Sequence, residues 1–219
     1  MLKFTNNNPE FDQNLLRIWT NISSHSSSPR TFLVTSSVSG EGCTTIATHL
    51  ARMKAEAYNE KILLIEGNFI NPSISYGSQL SDPPGFSDIL LRGASLREAV
   101  QPALIQNLHY LGRGSEKLGS LSSPKVEALK RLLEQAKEMF DFILFDGPPA
   151  LEYPEIAILS NLFDGTILIV QANKTMPEDV QRAKKEIMNL GGAIIGCILN
   201  RKKHFIPKEI YKKYVGSDL

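Results

Sequence analysis

Residues 34–45, Val-Thr-Ser-Ser-Val-Ser-Gly-Glu-Gly-Cys-Thr-Thr, combine residue types and spacing that suit the binding of phosphate groups. An apolar run at residues 31–34 leads into this stretch, and apolar residues at helical spacing follow it. Strand, glycine-bearing turn and helix make a P-loop, in which backbone N–H groups and a helix N-terminus face the phosphates. The predicted nucleotide-binding residues of the loop are Ser39, Gly40, Glu41, Gly42, Cys43, Thr44 and Thr45.

The position that should carry the main positive charge of this motif is occupied by Cys43. In a P-loop a lysine reaches the terminal phosphates, and the hydroxyl of the next residue holds Mg²⁺. Thr44 supplies that hydroxyl, but a neutral thiol cannot offset charge that builds up on a transferring phosphoryl group. Loss of such a contact typically costs on the order of 10²–10³ in rate. Two alternatives stay open: another lysine, such as Lys174, reaches the site, or Cys43 has a redox role beside the helix N-terminus.

Polar side chains follow three other apolar runs, and the same edge of the sheet should collect them. Glu66 follows residues 61–65, Asp146 follows residues 142–145, and Asn200 follows residues 193–199. Ligands of parallel sheets bind at the carboxyl ends of the strands. We therefore predict Thr44 and Asp146 as Mg²⁺ ligands, and Glu66 and Asn200 as further residues of the site. The alternatives are that Glu66 only ends a strand and that Asp146 and Asn200 only form turns.

The order of apolar segments predicts an α/β fold. Continuous apolar runs alternate with amphipathic segments, which indicates a parallel β-sheet covered by helices on both faces. The predicted strands are residues 32–34, 61–65, 108–111, 142–145, 165–170 and 193–199. The predicted helices follow the P-loop to about residue 58 and cover residues 86–91, 96–100, 123–140, 155–162 and 176–190.

The chain divides into residues 1–30, an N-terminal helix with a flexible joint, and residues 31–219, a P-loop NTPase-like domain with a basic tail. The N-terminal helix, at residues 11–22, carries an apolar face of Leu15, Ile18, Trp19 and Ile22. Serine-rich residues 23–29 form the joint. The tail is a solvated terminus or a contact with anionic lipid or a partner.

The composition favours a globular domain in the cytoplasm. Of 219 residues, 42% are hydrophobic and 21% charged, and the formal net charge of +1 argues against general nucleic-acid binding. Two cysteines without metal-ligand spacing suit a reducing compartment. The chain shows no signal-peptide h-region and no apolar run approaching 18 residues, so a membrane span is not expected.

The order of these motifs resembles the cytoplasmic domain of the bacterial tyrosine kinases (BY-kinases) of capsule and exopolysaccharide export, P-loop ATPases with a deviant Walker A motif. The resemblance covers residues 13 to 210. The P-loop is matched at residues 36–44, the second signature at residues 63–72, and the Walker B pattern at residues 140–149. The family's Gly-Leu-Ser-Asp-x-Leu motif is matched at residues 85–90, and its adenine-side Leu-Asn at Leu199 and Asn200. The resemblance therefore implies that Asn200 contacts adenine and that Asp146 and Glu66 are catalytic residues.

The resemblance implies a P-loop NTPase fold that takes ATP or ADP with Mg²⁺, but the departures fall on the chemistry. Cys43 replaces the phosphate lysine, and Glu66 and Asn68 replace two aspartates that work near Mg²⁺ and the attacking hydroxyl. The slots of the family's oligomer motif hold Gln13, Leu16 and Trp19 in place of charged residues, and only Tyr211 and Tyr214 stand for the C-terminal tyrosine cluster.

Four departures along one mechanism favour a pseudo-kinase that regulates or scaffolds polysaccharide synthesis, with nucleotide binding weak or lost. An active ATP-dependent tyrosine autokinase and a redox-sensitive nucleotide sensor built on Cys43 are the alternatives. The implied partner is an inner-membrane polysaccharide co-polymerase or an active kinase paralogue. We expect a monomer or small oligomer alone, at the membrane only through its partner or tail, hence cytoplasmic or peripheral at the inner face of the plasma membrane.

Overall fold

The structure, a computed structural model, describes residues 13–17, 20, 30–68, 84–116, 118 and 122–202. Residues 13–17 and Thr20 are helical, in agreement with the helix predicted there; Leu15 is buried and Leu16 exposed. The predicted joint, the basic tail beyond Lys202 and the side chain of Trp19 lie outside the described residues. The division at residue 30 therefore stays a prediction.

The described residues form a seven-stranded sheet in the order β3-β4-β2-β5-β1-β6-β7. Its strands are β1 (Thr31–Ser36), β2 (Ile62–Glu66), β3 (Gln101–Pro102), β4 (Leu108–Leu111), β5 (Phe142–Asp146), β6 (Gly165–Gln171) and β7 (Ile194–Asn200). All pairings are parallel except that of β3 with β4. The central strands are buried along their length, as expected for a sheet covered on both faces.

Beyond the helical residues near the N-terminus, six α-helices occur in the described residues. They are α1 (Cys43–Tyr58), α2 (Phe86–Arg92), α3 (Leu96–Ala99), α4 (Ser123–Met139), α5 (Glu155–Leu159), which continues as a 3₁₀ turn (Ser160–Leu162), and α6 (Pro177–Asn189). None of them is long and apolar enough to cross a lipid bilayer.

Alternate residues of each strand enter two separate cores, because successive side chains of a strand point to opposite faces. Phe32 and Val34 pack with Ile46 and Leu50 of α1 on one face. Leu33 packs on the other face, in a core that contains residues of α2 to α6. The predicted α/β fold with helices on both faces is therefore confirmed.

The start of β1 is tied to the end of α4 by Arg30. Its Nη2 donates to the carbonyl oxygens of Lys137 and Phe140, at 2.6 Å each. The last carbonyls of a helix have no partner within the helix, so this guanidinium satisfies groups that would otherwise need water. Asp164 accepts hydrogen bonds from the backbone N–H groups of Arg30 and Thr31, at 2.8 Å each. These contacts hold β1, and with it the loop that follows, in place.

The strands and helices that the sequence predicts are all present, with ends shifted by a few residues. The predicted helix at residues 155–162 ends its α-helical part at Leu159. The short strand β3 was not predicted, because Gln101 and Pro102 lack both length and an apolar pattern. It pairs antiparallel at the sheet edge, where a proline is tolerated since one side of the strand forms no ladder.

Candidate nucleotide-binding site

The carboxyl ends of five strands meet at one edge of the sheet and bring the predicted polar residues together. Asp146 pairs in register with Val34 on one side and with Glu66 on the other. Asn200 pairs with Gln171 at the end of β6. The convergence that the sequence predicts is therefore found in the structure.

A cavity of about 300 Å³ opens over the loop between β1 and α1. This volume lies at the lower end of the range of small-molecule sites. Its lining contains all seven predicted loop residues, Ser39, Gly40, Glu41, Gly42, Cys43, Thr44 and Thr45. The other described residues of the lining are Ser36, Asn68, Gly147, Pro149 and Arg201. Among the described residues of this lining, Arg201 is the one cation; it was not predicted as a site residue. Lys174 is not part of the lining.

The loop has the backbone conformation that a phosphate-binding turn requires. Gly40 and Gly42 have φ angles of 84° and 91°, which side chains with a Cβ rarely adopt. A Cβ on Gly42 would also lie 2.3 Å from Nδ2 of Asn200. The N–H groups of Gly42, Cys43 and Thr44 donate no hydrogen bond to another described residue. They are the unpaired donors of the α1 N-terminus, which suit an anion.

Glu41 fixes the loop from within. Its side chain is buried, and Oε2 accepts hydrogen bonds from the N–H groups of Ser37 and Val38 at 2.7 and 3.0 Å. Oε1 accepts from the N–H of Gln171 at 3.0 Å and from the Thr175 hydroxyl. The predicted nucleotide-binding residue Glu41 thus uses its carboxylate to join the loop to the end of β6. The pattern of the loop gave no signal for this role.

Two further side chains hold the loop from outside. Nδ2 of Asn200 donates to the Glu41 carbonyl oxygen at 2.8 Å, and its Oδ1 accepts from the N–H of Arg201 at 2.8 Å. Both ends of the amide predicted to bind adenine are thus engaged with the protein. Glu152 accepts from the N–H and the hydroxyl of Ser39, at 2.6 Å each. The loop is therefore held in shape without a ligand.

The thiol of Cys43 points into the protein at the foot of the loop. Its Sγ lies 3.2 Å from the carbonyl oxygen of Val34 and 3.3 Å from Oδ1 of Asp146. Burial, followed by the negative charge of Asp146, raises the pKa of the Cys43 thiol well above its usual value. The neutral thiol donates to Asp146, so Cys43 brings no charge to the site, positive or negative.

Asp146 is a buried carboxyl. Among the described residues, none makes a hydrogen bond to its Oδ2, and the nearby Thr44 hydroxyl favours the charged form of the carboxyl. Burial raises the pKa of Asp146 to about 7, against hydrogen bonding by Thr44 and Cys43, and the nearby charge of Glu66 adds to the rise. A divalent cation would reverse this logic, since it stabilises a carboxylate. The unsatisfied oxygen beside a threonine hydroxyl therefore fits Mg²⁺.

Glu66 is fully buried beneath the site. Its Oε2 accepts a hydrogen bond of 2.6 Å from the hydroxyl of Tyr110 on the neighbouring strand β4. Neither Glu66 nor Asp146 is among the described residues that line the cavity, whereas Asn68 is. The predicted catalytic role of Glu66 stays a prediction. No group of three or more His, Cys, Asp or Glu side chains suited to a metal occurs among the described residues.

Comparison with known proteins places this chain in a family. No family model matches the chain. The tyrosine-protein kinase YwqD of Bacillus subtilis is 30% identical over 188 residues, which cover 86% of this chain and 78% of the relative. The putative tyrosine-protein kinase CapB of Staphylococcus aureus is 23% identical over 189 residues, 86% of this chain and 82% of the relative.

The solved structures give the same result. The VpsO kinase domain superimposes with a TM-score of 0.70 at 28% identity, covering 88% of this chain and 99% of that domain. The loop, the free N–H groups at the start of α1 and the buried carboxyl of Asp146 thus belong to a P-loop NTPase fold that this chain shares with its relatives. The chain is a member of the bacterial tyrosine-protein kinases, the BY-kinases.

Proposed function

We propose that this chain is a pseudo-kinase of capsule or exopolysaccharide biosynthesis. It has kept the nucleotide pocket of the BY-kinases, binds ATP or ADP weakly, and has lost phosphoryl transfer. It regulates or scaffolds the polysaccharide machinery through a partner, an inner-membrane co-polymerase or an active kinase paralogue. Its place is the cytoplasm, or the inner face of the plasma membrane when the partner is bound.

The observation that carries this proposal is the position of Cys43. At the residue where the P-loop motif has its phosphate lysine, the side chain is a neutral thiol that turns to Asp146 at 3.3 Å. Phosphoryl transfer depends on positioning and on stabilising charge at the transferring group. A thiol that donates to the buried carboxyl serves neither purpose.

Weak binding is supported by what the loop retains. The N–H groups of Gly42, Cys43 and Thr44 have no acceptor in the part of the chain that the structure describes, and Glu41 holds the loop in shape. Thr44 and Asp146 are the residues that would hold Mg²⁺. Bound there, Mg²⁺ would neutralise charge on the phosphates. Asn68 stands where the resemblance places an aspartate, and an amide cannot accept a proton as a base.

The test of the proposal is incubation of the purified chain with Mg-ATP, followed by phosphotyrosine detection and phosphate release. We expect neither signal above that of Asp146→Ala, the matched control in which the Mg²⁺ ligand is removed. Phosphotyrosine that forms in the parent protein and is lost in Asp146→Ala would overturn the pseudo-kinase. An active relative assayed in parallel shows that the conditions support transfer.

A second candidate, the active autokinase, is favoured by one observation. Thr44 and the free Oδ2 of Asp146 are still arranged to support Mg²⁺. The same assay decides between the two candidates. The third, a redox sensor, requires a reactive thiolate at Cys43, and the raised pKa of that thiol weighs against it.

The partner is tested separately. The purified protein is immobilised. The purified cytoplasmic segment of the co-polymerase or the purified active paralogue is then added, and its binding is measured. We expect binding of one of them. If neither binds the parent chain, with or without Mg-ADP, the regulatory part of the proposal is wrong.

A further inference from the structure

The end of β7 places a cation at the mouth of the P-loop that no motif of the sequence indicates. Arg201 follows Asn200, and its φ of 55° turns the chain out of the strand. Its N–H donates to Oδ1 of Asn200 at 2.8 Å. The same Asn200 holds the loop through the Glu41 carbonyl oxygen. Arg201 is thus positioned by a residue that is itself fixed to the loop.

The guanidinium of Arg201 reaches back over the loop. Nη1 donates to the carbonyl oxygen of Gly40 at 2.8 Å and to Oε1 of Gln171 at 3.1 Å. Nη2 lies 4.0 Å from the position that a Cβ on Gly42 would occupy. The N–H groups of Gly42, Cys43 and Thr44, at the start of α1, donate no hydrogen bond to another described residue. Toward the described residues, Nε and Nη2 donate no hydrogen bond, so the guanidinium keeps donors for a further acceptor.

No other described residue of the cavity lining carries a positive charge that could bind an anion. Among the described residues that line the cavity, the other charged side chain is Glu41, and its carboxylate is engaged with Ser37, Val38, Gln171 and Thr175. Cys43 is neutral. A phosphate in this cavity would therefore meet helix N–H groups on one side and the Arg201 guanidinium on the other.

We infer that Arg201 supplies the phosphate-binding cation that the P-loop itself lacks, so that the pocket selects a nucleoside di- or triphosphate through a charge brought from β7. This inference rests on the proposed weak nucleotide binding. A guanidinium presents its donors in a planar fork that matches phosphate oxygens. Arg201 lies at the opening of the loop and not at its foot. This position suits Arg201 to binding a phosphate. The proposed loss of transfer is unaffected.

The experiment compares Mg-ADP with adenosine by titration calorimetry on the full chain. The central variant is Arg201→Gln, because the glutamine amide can still donate to Gly40 while the charge is gone. We expect Mg-ADP affinity to fall roughly 10- to 100-fold, the effect of losing one charged hydrogen bond to phosphate. Adenosine affinity should stay within about twofold, since adenosine has no phosphate for Arg201 to bind.

Three further variants make the result specific. Lys202→Ala removes the same charge from the neighbouring exposed residue and should change Mg-ADP affinity less than about twofold. Cys43→Lys combined with Arg201→Gln should recover affinity, because the lysine returns a cation to the loop. Arg201→Lys should retain part of the affinity. Thermal unfolding of each variant shows that the fold is intact.

The outcomes separate this inference from the proposed function. Equal losses for Mg-ADP and adenosine in Arg201→Gln would mean that Arg201 only braces the loop and would overturn the inference. An unchanged Mg-ADP affinity, or an equal loss in Lys202→Ala, would also overturn it and leave weak nucleotide binding in place. A parent chain that binds no Mg-ADP at millimolar concentration would overturn both.

Discussion

The buried carboxyl of Asp146 should make the empty protein less stable as pH rises, and Asp146→Asn should remove that loss. Its pKa is raised to about 7 from an ordinary value of 3.8. Between these two values the folded state holds a proton that the unfolded chain has released. Stability therefore falls with increasing pH over this window, and the loss is complete once the pH is above the folded pKa.

The magnitude follows from the size of the shift. Each pKa unit corresponds to about 1.4 kcal/mol, so the parent protein should lose ~3 kcal/mol between pH 5 and pH 8 through this group. Asp146→Asn keeps the shape and an oxygen that accepts from Cys43, but cannot ionise. The free energy of unfolding of Asp146→Asn minus that of the parent should therefore be ~3 kcal/mol larger at pH 8 than at pH 5.

The assay is urea denaturation of both proteins at pH 5 and pH 8, without Mg²⁺ or nucleotide. Glu127→Gln, which neutralises an exposed carboxyl on α4, is the matched control and should show no such difference. A difference between parent and Asp146→Asn that is the same at both pH values would refute the argument. An Asp146→Asn protein that is less stable than the parent at pH 8 would also refute the argument.

Three other outcomes are expected. Iodoacetamide at pH 8 should modify exposed Cys197 well before Cys43, whose partly exposed thiol stays protonated because its pKa is raised and it donates to Asp146; peptide mass spectrometry measures both, and faster reaction at Cys43 would contradict the geometry. Arg30→Ala should lower the free energy of unfolding by about 1–3 kcal/mol, because the last carbonyls of α4 lose their donor. Arg131→Ala, an exposed control on the same helix, should cost under about 0.5 kcal/mol in the same urea titration. Light scattering at tens of micromolar should show a monomer or small oligomer, and a stable octamer-sized particle would be inconsistent with the loss of the charged oligomer motif.

The sequence predicts most of this fold because its strands are continuous apolar runs and its helices have a clear period. Residues 108–111 are strand β4 as predicted, and the P-loop helix ends at Tyr58 as predicted. Strand β3 could not be predicted, because its two residues, one of which is a proline, carry no apolar pattern. The sequence also does not show which face of the sheet each helix covers, because this depends on the order of all the strands.

The positions of Thr44 and Asp146 at the site could be predicted, because a P-loop and an apolar strand that ends in aspartate each have a recognisable pattern; their role as Mg²⁺ ligands stays a prediction. It is not predictable where a contact joins distant positions. The carboxylate of Glu41 meets Gln171, 130 positions along the chain, and Asn200 meets Glu41 across 159. Arg201 belongs to a stretch whose sequence indicates a basic tail, and only the turn after β7 directs it to the loop. The pairing of Tyr110 with Glu66 was missed for the same reason.

The bracing of the loop by Glu41 limits how this protein could signal. In nucleotide switches, a segment that is loose without ligand becomes ordered around the phosphates. Here the Glu41 carboxylate accepts hydrogen bonds from the N–H groups of Ser37, Val38 and Gln171, and none of these contacts involves a phosphate. A ligand can shift an equilibrium only if it distinguishes two states. Because these contacts involve no phosphate, we expect the difference that a partner senses between the nucleotide-bound and the nucleotide-free protein to arise outside the P-loop.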